Sequence, residues 1–191
     1  MTMLIVGMAI FFGIHLLRVV APGWRESMME RMGVLGWKAL YSVIAIAGFV
    51  LLVLGYAEIR WSSPVLWAIS QPWMKMAVGL AMLPALVVFV SAYLPGRIRA
   101  TLKHPMLIAT AAWAAMHLAL NGRVADLLLF GAFLLWSLVV LADSYRRPAP
   151  AQPASQGSLA WDGVAVVLGT VAWWWLAFGG GHALLFGMPV M

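Results

Sequence analysis

Apolar residues run through this chain in long unbroken blocks, and the polar positions fall between the blocks rather than alternating within them. Six blocks stand out, at 2–20, 38–57, 73–94, 104–120, 124–143 and 161–178. Each is close to the ~20 residues that a helix needs to cross a hydrocarbon core roughly 30 Å thick. In lipid only helices satisfy their own backbone groups without closing a barrel, and no two-residue alternation argues for strands. The pattern predicts an all-α fold, a polytopic transmembrane helix bundle with about six spanning helices. Pro84 lies inside the third block and removes one N–H from its ladder, so a kink is expected there.

The polar stretches give the organisation. "PGWRESMMERMG" at 22–33 mixes charge, tryptophan and methionine, as an interfacial amphipathic turn would. "PAPAQPASQG" at 148–157 is an uncharged Pro/Ala stretch with no reason to pack. The expected division is therefore a five-helix domain at 1–147, a cytoplasmic linker at 148–158, and a sixth helix with a Gly-rich outer tail at 159–191, all within one bundle. That tail, "FGGGHALLFGMP" at 178–189, is expected to lie at the outer surface or fold back into the bundle. Residues 1–20 have neither a basic leader nor a small-x-small cleavage site, so they are expected to remain as a span.

Composition places the chain in a bilayer. Hydrophobic residues make up 64% and charged residues only 9%, where soluble domains carry roughly a quarter charged. Without cysteine, disulfides, thiolate metal sites and a cysteine nucleophile are excluded. The pI near 10.3 comes without a basic stripe or nucleic-acid motif, so no nucleic-acid partner is expected. The basic residues read instead as topology signals. Arg18, Arg25, Arg31, Lys38, Arg97, Arg99, Lys103, Arg146 and Arg147 fall on one set of connections, and only Arg60, Lys75 and Arg123 on the other. The bias predicts a multi-pass protein of the bacterial inner membrane with both termini periplasmic.

Against this background the histidines are the candidate chemistry. His104 and His117 share the fourth block, but thirteen residues of helix separate them by roughly 20 Å and about 220° of rotation. Each must look to another helix for company. His104 precedes Pro105, which is favoured at a first helical position, and reads either as a polar end to the helix or as a ligand. His117 lies one turn after Trp113, on the same face. Alanines at 109, 111, 112, 114, 115 and 119 leave room around it for close helix approach or for a flat ligand. On that reading Ala112→Leu or Ala115→Leu is expected to overpack the bundle. A buried imidazole bonded to a carbonyl is the plainer alternative. On helix one, Phe11, His15 and Arg18 form a ridge that suits a haem, with histidine on iron and arginine at a propionate. His182 reads as an interfacial residue whose replacement does little.

No carboxylate sits mid-span, so paired acid–base carboxylates and pump-like relays are missing. Arg123 and Asp126, three residues apart, are expected to pair. Phosphate loops and nucleophile elbows are also missing. The methionines read as apolar filler, although histidine with methionine is a Cu(I) donor set.

The stretches "FGIHLLR" (12–18), "WKALYSVIAIAGFVLLVLGY" (37–56), "HPMLIATAAWAAMHLALNG" (104–122), "LLLFGAFLLWSL" (127–138) and "HALLFGMP" (182–189) resemble the NnrU family of bacterial membrane proteins. The resemblance implies a polytopic domain linked to denitrification, particularly nitrite and nitric oxide reduction. It also implies kinship with 15-cis-zeta-carotene isomerase, a haem b enzyme. Carried over residue by residue, it makes His15 and His117 the axial ligands of one haem b. The isomerase carries a further histidine after its second helix, where this chain reads "GYAEIRW", and a cysteine near its second ligand that has no counterpart here. Depth gives a different ranking. With helix centres near residues 11 and 112, His15 and His117 fall about 6 Å inward and about 7.5 Å outward, whereas His104 lies only roughly 6 Å from the depth of His15. Helix tilt keeps His117 first and His104 as the alternative.

Three functions compete. The first is a haem-dependent isomerase or oxidoreductase acting on a lipid-soluble substrate, with a membrane redox partner. The second is a cofactor-free assembly or signalling factor for membrane reductases. The third is a transporter, for which no persuasive inverted repeat is visible.

Overall fold

The apolar blocks become helices, seen in a computed structural model that describes residues 1–69, 71–147 and 157–188. In chain order they are α1 (Thr2–Val20), α2 (Pro22–Ile59), α3 (Pro72–Ser91), α4 (Arg97–Leu102), α5 (Pro105–Leu120), α6 (Val124–Arg146), α7 (Leu159–Ala177) and α8 (Gly181–Phe186). Among the described residues the only β-type pairing is two isolated bridges. Among the described residues five helices, α1, α2, α3, α6 and α7, are long and apolar enough to cross a membrane.

The fourth block is the exception to the expected six spans. It forms the 16-residue α5, about 24 Å long against a core of roughly 30 Å. Both ends have a local cause. Pro105 bars His104 from the helical region. At the other end the Asn121 backbone N–H and side-chain Nδ2 both donate to the His117 carbonyl, at 2.9 and 2.8 Å.

Two further expectations change form. Residues 22–32 are helical and lead into the rest of α2 through Gly33, whose φ of 73° is open to glycine and costly to other residues. Pro84 is carried inside α3, which continues to Ser91 as one helix. The Pro/Ala linker lies outside the described residues, apart from Gly157 and Ser158.

The chain divides into two compact units. The first comprises residues 1–66 and 123–132, where α1 and α2 pair antiparallel. Gly7 lies against Leu52, Gly48 against Phe11 and Gly55 against Leu4, so closely that a Cβ at any of the three would collide with the facing backbone. Small residues permit this contact between apolar helices. The second unit comprises residues 67–122 and 133–191, where α3 packs against both α5 and α7. Gly169 of α7 lies on the backbone of Val87, and the Trp173 indole N–H donates to the Gly79 carbonyl at 2.6 Å. Asp162 in the first turn of α7 accepts the Ile98 N–H at 3.0 Å, which ties α4 to the start of α7.

Candidate cofactor site

His117 projects from the last turns of α5, half-buried, with its Nδ1 2.9 Å from the carbonyl oxygen of Trp113. A carbonyl oxygen only accepts, so Nδ1 carries a proton, and in the neutral ring the lone pair then lies at Nε2. The Trp113 ring lies 5.0 Å from the imidazole and meets Phe133 edge-on at 5.5 Å. The four-residue spacing thus places Trp113 and His117 on one face, as the sequence required.

The structure brings to this face a residue that the sequence places at the interface, His182. The Gly-rich tail folds back within the second unit: Gly180 takes a left-handed φ of 75° and α8 starts immediately after it. Gly181 lies so close to the Trp175 ring that a side chain would enter the indole. His182 follows, half-buried, its ring 6.4 Å from that of His117 and inclined to it by only 18°. Its Nδ1 is 2.6 Å from the Met188 carbonyl oxygen, and Phe186 packs 4.9 Å away. The run of three glycines is the signal that was available, because it lets the chain reverse after α7.

His104 stands at the other end of α5 as its N-cap residue. Its ring meets Tyr145 edge-on at 5.2 Å, while the Tyr145 hydroxyl donates to the Leu102 carbonyl at 2.9 Å. His104 thus stands at the helix end, just before Pro105, without a side-chain cap bond.

In the first unit, His15 donates from Nδ1 to the Phe11 carbonyl at 2.6 Å. Its ring is bracketed by Phe11 at 4.3 Å and Tyr41 at 5.3 Å. Arg18 is exposed in the last turn of α1. The Phe11/His15 half of the expected ridge is therefore a packed aromatic cluster.

The expected Arg123–Asp126 pairing takes a different form. Asp126, 5% exposed, accepts the Arg123 backbone N–H at 3.0 Å and the Tyr56 hydroxyl at 2.6 Å. The Arg123 guanidinium turns to the carbonyls of Trp61 and Ser63, at 3.0 and 2.9 Å. A carboxylate at the third helical position capturing the N–H just before the helix is half of a capping box, so local backbone need takes the charge that the sequence assigned to an ion pair.

Among the described residues, no three His, Cys, Asp or Glu side chains gather as a metal-binding group. The arrangement at His117 and His182 is instead two imidazoles in an aromatic setting. The family model described as NnrU protein matches residues 3–190. The chain belongs to the NnrU family. No curated protein and no solved structure matches this NnrU protein. Its family and its five long apolar helices together make it a membrane protein.

Proposed function

We propose that this NnrU protein is a haem b protein of the bacterial inner membrane, with both termini periplasmic, serving redox or isomerase chemistry on a lipid-soluble substrate in nitrite and nitric oxide metabolism. The observation that supports this reading best is His117. Its Nδ1–H is committed to the Trp113 carbonyl, so the lone pair is at Nε2, the nitrogen suited to an axial ligand of iron. The fit rests on donor chemistry: a porphyrin supplies four in-plane nitrogens and asks the protein only for axial ligands, whereas a bare zinc ion asks for four protein or water ligands. Two imidazoles in aromatic company support the former demand over the latter.

When bound, haem would supply one-electron or Lewis-acid chemistry at its iron. The chain's own part is to hold and orient. Trp113 fixes the His117 tautomer through its carbonyl and flanks the imidazole with its ring. A fixed tautomer and ring plane are what a ligating histidine takes from its outer shell. The alanines of α5 keep the helix slim around that face. The test is the visible spectrum of purified protein supplied with haem. We expect a Soret band that co-purifies with the wild type and is lost or strongly altered in His117→Ala, with the elution profile of the folded protein retained. Folded wild type that takes up no haem would reduce the reading to a cofactor-free membrane factor.

A further inference from the structure

We propose that His182 is the second axial ligand, bound to the same iron as His117. This rests on the haem reading and adds the identity of the opposite ligand, which the sequence had assigned to His15, with His104 as alternative.

The ring geometry is the first argument. The two imidazoles are inclined by only 18° with centroids 6.4 Å apart, toward the far end of the roughly 4.5–7 Å range of offset-stacked rings. A metal–imidazole bond of about 2 Å on either side, plus the half-width of each ring, puts the centroids of two opposed imidazoles roughly 6 Å apart. The observed separation matches that span.

The second argument is tautomeric. Nδ1 of His117 bonds the Trp113 carbonyl within α5, and Nδ1 of His182 bonds the Met188 carbonyl beyond α8. Two unrelated backbone acceptors thus hold Nδ1 of both rings, so that in the neutral imidazoles both lone pairs lie at Nε2.

The third argument is the cost of placing His182 there. The chain adopts a left-handed turn at Gly180, seats Gly181 on the Trp175 ring and forms a six-residue helix. Aromatic side chains flank each histidine, Trp113 beside His117 and Phe186 beside His182. Such a cradle suits a planar hydrophobic macrocycle and offers nothing to a hydrated cation.

The decisive measurement is the electron paramagnetic resonance and absorption spectrum of ferric, haem-loaded protein. The wild type is expected to be low-spin with the signature of two histidines. His182→Ala should become high-spin and five-coordinate, and added imidazole should restore the low-spin signal. His182→Met, which keeps side-chain bulk, should show a histidine–methionine spectrum and a raised reduction potential; it decides the question if the alanine variant does not fold. His15→Ala and His104→Ala should leave the spin state unchanged. A haem-loaded His182→Ala or His182→Met protein that keeps the two-histidine spectrum overturns the assignment while haem binding stands. Loss of the low-spin signal in His15→Ala instead, with His182→Ala unaffected, moves the ligand to His15. Wild type that binds no haem removes both proposals together.

Discussion

Asp126 shows how much of this protein is settled by single polar atoms. Its carboxylate is nearly covered and accepts from the Tyr56 hydroxyl and from the Arg123 backbone. Hydrogen bonds to a charged group are worth about 1.5–3 kcal/mol, against roughly 0.5–1.5 for neutral ones. Tyr56→Phe should therefore cost about 1.5–3 kcal/mol in detergent unfolding. Asp126→Ala should cost at least as much, because it also frays the start of α6. Equal stability of both variants to wild type would mean that the carboxylate is solvated in solution. The residue types here were legible in the sequence, but their partners were not. The three-residue spacing of Arg123 and Asp126 announced an interaction, and only the fold shows that the N–H rather than the guanidinium makes it. Among the histidines the contrast is similar. Trp113 and His117 share a helix, so helical period alone puts them together. His182 reaches His117 through a reversal sixty-five positions further along the chain, a tertiary event that periodicity does not encode.

At the scale of elements, the helices were legible because lipid leaves few alternatives, and the misjudged details lie at their ends. α5 is short because His104-Pro105 and Asn121 stop it, although the apolar text runs on. Its alanines also divide in a way their spacing does not foretell. Ala114 is fully buried and Ala109 nearly so, while Ala112 lines an apolar groove of about 310 Å³ with Ala81, Pro84 and Ala85 of α3. Ala114→Leu should destabilise the second unit by about 1–3 kcal/mol through overpacking. Ala112→Leu has space to enter and should cost less than 1 kcal/mol, contrary to the sequence expectation for this position. Thermal unfolding of the two variants in the same detergent compares them directly, and a larger loss at Ala112 would close the groove.

For the whole molecule, the surface is apolar where a soluble protein's would be charged, with large exposed side chains along α2, α3 and α7. The nine-to-three division of basic residues between alternate connections predicts its orientation. Reporter fusions after residue 150 should read cytoplasmic and fusions at residue 122 periplasmic; the reverse pattern would invert the protein in the membrane. The length of α5 makes the second of these the sharper test, since a helix of 16 residues brings Gly122 to the far side only where the bilayer thins around it. The reversal after α7 that brings His182 toward His117 carries a last consequence, for the order of events during synthesis. At about 5–20 residues per second, His117 leaves the ribosome several seconds before His182, and the two rings meet only after α7 has been made and inserted. A centre that needs both is completed only once α7 is in the membrane and α8 has turned back. Its absorption band would then serve as a built-in report that these two helices have reached their place.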